Sequence, residues 1–420
     1  MKILVIGSGG REHALCFRLS KSPRVEKIYC APGNGGISQH AECVTLDDFP
    51  TIANFCKNQA IDLVVVGPEQ YLVDGLADFL RAENIVVFGP SQKAAQLEGS
   101  KGFMKDICHK YNIPTAKYAR FSNAKDAKEY LAQQTLPIVI KADGLAAGKG
   151  VIIAQQREEA EQTVDEMFSG KFGSAGNEII IEEFMQGEEI SFFALCDGKT
   201  AVEFGSAQDH KAVGDGDTGP NTGGMGAYTP APIATPDLRA HIMQEIIFPT
   251  LKAMQQEGMP YEGVLFAGLM ITKSGPRLIE FNCRFGDPET QSLMMLLDDD
   301  LAEILFEAAK GKLLTRPVKF HSGAALCVVM AAEGYPGEYV KNTEIKGLNE
   351  AAKVTDVEIF HAGTKASADK ILAIGGRVLG VTAFGKDVKT AQALAYQAVD
   401  KIDWQAGFCR RDIGWRAIEV

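Results

Sequence analysis

Short apolar runs alternate with helical patterns through the first hundred residues. The apolar runs cover residues 2–6, 61–66 and 85–88, and the segments with helical spacing cover residues 12–20 and 72–82. Such alternation predicts a doubly wound parallel sheet. The run at 63–66 is apolar at every position, as expected of a strand that helices cover on both faces. We therefore predict an N-terminal α/β domain at residues 1–102.

Two further domains are predicted from the rest of the pattern. Residues 103–320 hold most of the glycine-rich and acidic motifs, and a small lobe at about 114–195 has strand-like runs at 137–141, 151–154 and 178–182. Residues 321–420 combine apolar runs at 324–330 and 377–383 with a helical pattern at 388–400. The predicted fold class is thus α/β and α+β, with a compact C-terminal α+β domain.

Charge and composition exclude some classes of protein. The formal net charge is −11, whereas nucleic-acid binding needs a basic surface. No segment approaches the roughly 18 apolar residues of a membrane span, and the chain reaches glycine at position 7, too soon for a signal peptide. Nine cysteines without a Cys-x-x-Cys pair indicate reduced thiols. We expect a cytoplasmic enzyme that binds neither nucleic acid nor membrane.

A glycine-rich loop follows the first predicted strand and opens the first helix. Its candidate substrate-binding residues are Gly9, Gly10, Arg11 and Glu12, with Arg11 as a candidate phosphate contact. A helix N-terminus in this setting binds phosphate through its N–H groups. The dinucleotide fingerprint fails, because Glu12 occupies a position that requires a small residue and no acidic residue ends the second strand. The loop suits a single phosphate, and a tight turn without a ligand is the alternative.

Two other turns are predicted at the same edge of the sheet. Pro68 and Glu69 follow the third strand, and Asn34 and Gly35 follow the second. Ligands of open α/β folds bind at this edge. These four residues are therefore candidates for contact with an amine or a ribose, although either turn alone is more often only a turn.

A strand, a glycine-rich loop and a second strand follow at residues 139–151. The loop is not a Walker motif, and we predict a flexible cover over ATP phosphates, with contacts from Lys141, Gly148, Lys149 and Gly150. Residues 179–189 run from a strand into an acidic turn. There the candidate contacts to adenine and ribose are Glu182, Glu183, Phe184 and Glu189.

The segment 277–289 carries the most specific chemistry. In a strand, Glu280, Asn282 and Arg284 point to one face. Carboxylate and amide oxygens at this spacing suit Mg²⁺ that bridges nucleotide phosphates, and the arginine can hold a phosphate or carboxylate. We predict Glu280 and Asn282 as metal ligands.

A glycine-dense segment at residues 214–228 is predicted to be a long loop without secondary structure. Loops of this length usually bind a ligand or are disordered. Its Asp-x-Asp-Gly pattern resembles an EF-hand, but the glutamate required at the twelfth position is missing, so calcium is rejected.

These motifs together resemble one family. The combination of 221–226 (Asn-Thr-Gly-Gly-Met-Gly) with 284–289 (Arg-Phe-Gly-Asp-Pro-Glu) is similar to the phosphoribosylamine-glycine ligase family, also called glycinamide ribonucleotide synthetases, within the ATP-grasp superfamily. The resemblance extends nearly end to end, including 335–337 and 410–414. It departs at Ala212, where the family usually has arginine after Asp-His-Lys.

The resemblance implies an N-terminal phosphoribosylamine-binding domain, two ATP-grasp lobes and a C-terminal domain. It implies nucleotide contacts from Lys105 and Lys141, and a catalytic role in charge stabilisation for Lys141 and Arg284. It also implies further substrate contacts, namely Asp209, Lys211, Thr222, Gly223, Gly224, Met225, Gly286 and Asp287.

The implied reaction joins glycine to 5-phosphoribosylamine through glycyl phosphate, using ATP with Mg²⁺ or Mn²⁺, in a monomer. Three alternatives are an ATP-grasp ligase with other substrates, a nicotinamide oxidoreductase and a non-catalytic nucleotide-binding regulator. The 284–289 segment argues against the first and Glu12 against the second. The joint presence of Glu280, Asn282 and Lys141 argues against the third.

Overall fold

The computed structural model of the protein describes residues 1–144, 150–171 and 173–418. Its first unit is a parallel sheet with the strands β1 (Lys2–Gly7), β2 (Lys27–Pro32), β3 (Glu42–Cys43), β4 (Leu63–Val66) and β5 (Val87–Phe88). The order across the sheet is β3-β2-β1-β4-β5. The helices of this unit are α1 (Gly10–Leu19), α2 (Phe49–Gln59), α3 (Glu69–Val73) and α4 (Leu76–Ala82), with a 3-10 turn at Ile37–Gln39.

Sequence and local structure agree closely in this unit. The four residues of β4 are buried, because helices cover both faces of the sheet. Asp48 begins α2 by accepting a hydrogen bond from the N–H of Thr51 at 2.7 Å. The predicted doubly wound parallel sheet is confirmed.

The prediction of a single helix at residues 72–82 is wrong in detail. The structure divides this segment into α3 and α4 at Gly75, whose φ of +94° is left-handed. Glycine adopts this conformation without a steric penalty, so it ends one helix and starts another in a new direction.

The second unit is a small antiparallel lobe. It follows α5 (Gln96–Gly99) and α6 (Lys101–Lys110), and its sheet has the order β6-β9-β7-β8. These strands are β6 (Tyr118–Phe121), β7 (Ile138–Ala142), β8 (Val151–Ala154) and β9 (Ile179–Glu183). Two helices, α7 (Ala124–Leu131) and α8 (Arg157–Glu166), cover one face, followed by a π-helical turn at Met167–Lys171 and a 3-10 turn at Gly173–Asn177. A separate apolar core fills the lobe.

Among the described residues, the largest sheet has nine strands. They are β10 (Glu188–Asp197), β11 (Ala201–Asp209), β14 (Gly226–Thr229), β15 (Glu262–Thr272), β16 (Gly275–Asn282), β17 (Ala324–Ala332), β19 (Val357–His361), β22 (Arg377–Gly385) and β23 (Gly407–Phe408). The main path is β16-β15-β10-β11-β14-β17-β22-β19, and β23 pairs with β17. The helices of this region are α9 (Pro236–Ile242), α10 (Phe248–Gln256), α11 (Glu289–Leu296), α12 (Leu301–Ala309), α13 (Leu348–Ala351), α14 (Val388–Val399) and α15 (Trp415–Ile418), with a π-helical turn at Met243–Ile247.

Antiparallel pairing of β14 with β17 makes this sheet continuous across residue 320. Gly226 pairs with Val328 and Thr229 with Ala325. The strands that follow residue 320 thus extend the sheet that carries the acidic motifs. The N-terminal parallel sheet, the antiparallel lobe and the mixed C-terminal region confirm the predicted fold class. In the described ranges no helix has the length and apolarity of a membrane span.

The glycine-dense segment differs from the predicted loop. It forms a hairpin of β12 (Ala212–Gly214) and β13 (Thr218–Asn221), with a 3-10 turn at Asp215–Asp217 between them, and then enters β14. All four residues of β13 are exposed, so no hydrophobic alternation could indicate a strand there. A small third sheet has the order β18-β21-β20, from Thr343–Ile345, Lys370–Ala373 and Thr364–Ser367.

Three histidines meet where α1 packs against β19. The ring centroid of His13 lies 5.5 Å from that of His40 and 5.7 Å from that of His361. The N–H of His361 donates to Nδ1 of His13 at 2.8 Å. Burial, together with the two neighbouring imidazoles, lowers the pKa of His13 well below its usual value, and burial lowers the pKa of His361 to about 4.

This cluster predicts a loss of stability in acid. Because both folded-state pKa values are lowered, the unfolded chain binds protons more readily, and stability is lost as pH falls from about 6.5 towards 4. We expect the thermal midpoint to fall over this interval, and to fall less steeply in His361→Asn. The exposed His321 offers the control: His321→Asn should keep the wild-type pH dependence. Equal slopes in all three proteins would contradict the prediction.

Candidate functional site

Two adjoining cavities lie where the three units meet. The larger, here called the central cavity, has a volume of about 580 Å³. It brings together many of the predicted residues, namely Arg11, Glu69, Gly150, Asp209, Lys211, Thr222, Gly223, Glu280, Asn282, Arg284 and Asp287. The rim cavity, of about 450 Å³, includes Gly9 and Asn34. Asp287, Tyr335 and Arg377 line both cavities.

Two buried lysines share one carboxylate beneath the small lobe. Oε2 of Glu182 lies 3.2 Å from Nζ of Lys105 and 3.1 Å from Nζ of Lys141. Lys105 also donates to Oγ1 of Thr115 at 2.7 Å. Burial lowers the pKa of Lys105, while Glu182 opposes that effect. In the described residues, Glu182 is thus the carboxylate that contacts both lysines, and the positive charge around it favours an added phosphate.

The other predicted nucleotide contacts have different surroundings. Glu183 pairs with Arg277 at 3.0 Å, and Phe184 follows it in the turn after β9. Glu189 pairs with Lys211 at 2.7 Å. Gly148 and Lys149 lie outside the described residues, whereas Gly150 lines the central cavity.

Glu280 and Asn282 stand two positions apart on β16 and both line the central cavity. In the described ranges no group of three or more histidine, cysteine, aspartate or glutamate residues is arranged to hold a metal. Two hard oxygen ligands suit a Mg²⁺ ion that takes its other ligands from phosphates and water. The charge of Glu280 also acts on Lys101, whose pKa is lowered by burial in spite of it.

Arg284 lies between two carboxylates. Its Nε is 3.2 Å from Oε2 of Glu69, and its Nη2 is 3.0 Å from Oε1 of Glu98. Burial opposes the charge, but Glu98 and Glu69 outweigh it and raise the pKa of Arg284. Oε2 of Glu98 also accepts a hydrogen bond from the N–H of Cys283 at 2.7 Å. These contacts fix the guanidinium at the cavity wall.

The N-terminal glycine loop holds Glu12 inside the protein. Its side chain is 1% exposed and lies where Cβ atoms on Gly7 or Gly67 would overlap it. The carboxylate accepts the N–H of Gly9 and pairs with Nε of Arg11, both at 2.5 Å. Glu12 therefore shapes the loop and orients Arg11, and it takes up one of the amides that a phosphate would have used.

Other predicted residues of this edge connect it to the C-terminal region. Asn34 Nδ2 donates to the carbonyl of His361 at 2.7 Å, and the N–H of Gly35 donates to the carbonyl of Thr364 at 3.3 Å. A Cβ on Gly10 would collide with Gln291. Pro68 precedes α3 and presents Glu69 at the first position of that helix.

Arg377 holds the glycine turn after β13. Its Nη1 donates to the carbonyls of Gly223, Gly224 and Asp287, the last at 2.7 Å, and its Nη2 lies 3.6 Å from Oδ1 of Asp287. The hydroxyl of Tyr335 accepts the N–H of Gly223 at 3.2 Å. Met225 is completely buried in the core beside this turn.

Two carboxyl groups, those of the half-buried Asp209 and the buried Glu289, face the central cavity. Burial raises the pKa of Asp209. Burial and the charge of Asp209 raise that of Glu289 to about 7. Ser191 Oγ donates to Glu289 Oε1 at 2.9 Å, and a Cβ on Gly286 would collide with Glu289. The cavity therefore contains a carboxyl group, Glu289, that can exchange a proton near neutral pH.

Sequence reasoning missed Glu98, Lys101, Glu289, Tyr335 and Arg377. Glu289 and Tyr335 lie inside motifs that the sequence already distinguished, at 284–289 and 335–337. The other three come from a helix end or a β-strand with no local signal. Only the packing of distant segments brings them to the cavity.

An antiparallel lobe and a larger sheet that enclose paired lysines, a glutamate and an asparagine define an ATP-grasp enzyme. Three domain descriptions match the chain: the phosphoribosylglycinamide synthetase N domain at residues 1–98, the ATP-grasp (A) domain at 99–290 and the C domain at 325–416. The chain belongs to the phosphoribosylglycinamide synthetase family.

Relatives span the entire chain. It is 58% identical over 420 residues to the phosphoribosylamine–glycine ligase of Mesorhizobium japonicum, covering 100% of this chain and 99% of that protein. It is 51% identical over 426 residues to that of Escherichia coli O157:H7, with the same coverage. The chloroplastic ligase of Arabidopsis thaliana is 56% identical over 418 residues, which cover 97% of this chain and 79% of the plant protein.

Solved structures have the same fold as this chain. The crystal structure of the Thermotoga maritima phosphoribosylamine–glycine ligase has a TM-score of 0.88 at 32% identity and covers 99% of this chain and 100% of that one. The biotin carboxylase domain of Hydrogenobacter thermophilus 2-oxoglutarate carboxylase has a TM-score of 0.73 at 16% identity, covering 97% and 91%. The likeness to the biotin carboxylase domain shows a common fold alone.

Because Lys105 and Lys141 share the carboxylate of Glu182, we expect the stability of a Glu182 variant to depend on ATP. In Glu182→Gln the two buried lysines lose their common counter-charge, so the free energy of unfolding should fall by about 3 kcal/mol. Saturating ATP should restore part of the loss, because its phosphates supply negative charge. The measurement is thermal unfolding with and without ATP. Glu178→Gln, which alters a partly exposed pair with Arg120, should cost about 1 kcal/mol or less. Equal losses of unfolding free energy in both variants would refute the role of Glu182 as the counter-charge shared by the two lysines.

Proposed function

We propose that this protein catalyses the ATP-dependent ligation of glycine to 5-phosphoribosylamine. The products are glycinamide ribonucleotide, ADP and phosphate, and the reaction belongs to de novo purine synthesis. The observation that carries this proposal is 58% identity over all 420 residues to a phosphoribosylamine–glycine ligase, combined with a central cavity that gathers the acidic and basic residues such a reaction needs.

We assign ATP to the side of the central cavity beneath the small lobe. Lys105 and Lys141 contact its phosphates, since both are buried beside a single carboxylate. The backbone at 182–184 contacts adenine, and Glu189 holds the ribose hydroxyls. Gly148, Lys149 and Gly150 cover the phosphates.

We assign Mg²⁺ or Mn²⁺ to Glu280 and Asn282, whose oxygens are the ligands these ions prefer. When bound there, the ion neutralises phosphate charge. Arg284 and Lys141 are the protein cations that stabilise charge on the transferred phosphoryl group.

Glycine and phosphoribosylamine occupy the opposite side of the central cavity and the rim cavity. The N-terminal edge contributes Gly9, Gly10, Arg11, Asn34, Gly35, Pro68 and Glu69, and Glu12 acts by orienting Arg11. The glycine turns contribute Asp209, Lys211, Thr222, Gly223, Gly224, Met225, Gly286 and Asp287. Arg377 and Tyr335 complete the passage between the cavities, which both residues line.

The reaction has two transfers. A carboxylate oxygen of glycine attacks the γ-phosphorus of ATP, the bond to the β-phosphate oxygen breaks, and ADP leaves. The nitrogen of phosphoribosylamine then attacks the carbonyl carbon of glycyl phosphate, which expels phosphate. The attacking nitrogen must lose a proton, and Glu289 is a buried carboxylate in the cavity that can accept it.

We further propose the division of the chain into residues 1–102, 103–320 with a small lobe at about 114–195, and 321–420. Each of the first two contains a complete sheet, at β1–β5 and β6–β9. We expect a monomer that acts in the cytoplasm.

The proposed reaction predicts a strict requirement for every component. Phosphate release should need ATP, a divalent ion, glycine and phosphoribosylamine generated in place, and omission of any one should abolish it. Glu280→Gln should lower turnover about a hundredfold or more, because the metal loses its charged ligand. Glu245→Gln, an exposed change, should behave as wild type. Turnover that ignores glycine would refute the proposed function.

The raised pKa of Glu289 predicts that kcat depends on pH near neutrality. A carboxyl group with a pKa of about 7 is protonated below that value and becomes a proton acceptor above it. We expect kcat to rise between pH 6 and 8 with an inflection near 7, and Glu289→Gln to lower kcat and remove the inflection. A Glu289→Gln enzyme with the same profile as wild type would exclude this role.

A further inference from the structure

The β12–β13 hairpin stands apart from the larger sheets yet ends at the central cavity. Within the described ranges its two strands pair with one another as a separate sheet. Lys211 enters the hairpin and Thr222 leaves it, and both line the cavity. The Thr222 hydroxyl and N–H each donate to the carbonyl of Lys211 at 2.8 Å. The hairpin base is therefore closed, so the orientation of the hairpin sets the position of both residues.

Hydrogen bonds with residues 411–414 hold this hairpin at its tip and its base. The N–H of Arg411 donates to Oδ1 of Asp215 at 2.8 Å, and the N–H of Gly216 donates to Oδ2 of Asp412 at 2.8 Å. At the base, the N–H of Gly414 donates to Nε2 of His210 at 2.9 Å. The two segments are almost two hundred positions apart, so only the tertiary fold joins them.

Arg410 is the centre of this contact. Its guanidinium is 1% exposed and holds Asp412 through two parallel hydrogen bonds of 2.7 Å. Its Nη1 donates to Oδ1 of Asp217 at 2.9 Å and to the carbonyl of Ala212 at 3.0 Å. One arginine thus contacts the first strand and the tip of the hairpin at once, which a lysine could not do with the same planar geometry.

The backbone of the tip is strained. Asp217 has φ of +57°, in the left-handed region that residues other than glycine adopt at a cost. Its carboxylate is held by Arg410 and by Nη2 of Arg416 at 2.5 Å. Such a conformation persists where surrounding contacts determine it, and here those contacts come from residues 410–416.

We infer that Arg410 is a positioning residue for the ligation reaction: it fixes the β12–β13 hairpin so that Lys211, Thr222 and Gly223 face the central cavity. This inference rests on the proposed function. The phosphate-contacting residues Lys105, Lys141 and Glu182 belong to the small lobe and α6, away from this contact, whereas Glu189 pairs with Lys211 at 2.7 Å. Loss of Arg410 should therefore affect glycine, phosphoribosylamine and the turnover rate more than nucleotide binding.

The test compares Arg410→Met, Arg410→Lys and Arg411→Met. Arg411 is the matched control, since its half-exposed side chain pairs with Asp400 on the surface and only its backbone contacts the hairpin. For each protein we would measure kcat, the KM of glycine and of phosphoribosylamine, the Kd of ADP and the thermal midpoint. Asp217→Asn, which retains the shape of a half-buried side chain, replaces Arg410→Met if that variant does not fold.

We expect Arg410→Met to lower kcat/KM for glycine and phosphoribosylamine about tenfold or more, with a clearly smaller change in the Kd of ADP. Arg410→Lys should recover part of the loss, and Arg411→Met should match wild type. A fall in the thermal midpoint with unchanged kcat/KM, or an equal loss of ADP binding, would overturn the inference. If wild-type protein does not use glycine and phosphoribosylamine, the proposed function fails before this comparison is made.

Discussion

Backbone pairing between β14 and β17 is the interaction on which the geometry of the site depends. It makes one sheet of strands that carry Glu280 and Asn282 on β16, Asp209 at the end of β11 and Arg377 at the start of β22. A hydrogen-bonded sheet fixes the spacing of its strands, so groups from distant parts of the chain keep constant separations. The parallel N-terminal sheet then contributes its carboxyl edge, and the small lobe covers the opposite side.

The cationic side chains at the site differ in the number of carboxylates that pair with them. Arg284 pairs with two carboxylates, whereas Lys105 and Lys141 share Glu182. Buried charges are costly unless paired, so the positions of all three cations depend on these carboxylates. Asp209 and Glu289 differ from these ion pairs, because desolvation raises the pKa of both carboxyl groups and so favours their protonated forms.

Glycines in this enzyme mostly make room for specific side chains. Those around Glu12 admit a carboxylate that orients Arg11, and Gly286 leaves space for Glu289. A biotin carboxylase with the same fold is only 16% identical, so the common architecture does not determine the substrate. The N-terminal edge, the β12–β13 hairpin and Arg377 are the parts of the structure to which the proposed substrate specificity is assigned. Arg410 contacts the same hairpin through Asp217 and the carbonyl of Ala212.

The sequence by itself determined the local features. The apolar runs of β1 and β4, the strand–loop–strand motif around Lys141, and the proximity of Glu280 and Asn282 follow from periodicity and spacing within a few residues. Tertiary structure alone decided which distant groups meet. Glu98 reaches Arg284 from a short helix, Arg377 reaches Gly223 from another strand, and Arg410 reaches Asp217 across the chain. The exposed β13 was missed for a related reason: its strand exists through partners and not through an apolar pattern. Local propensity acts over a few residues, whereas charge pairing and backbone pairing act between any residues that packing brings together.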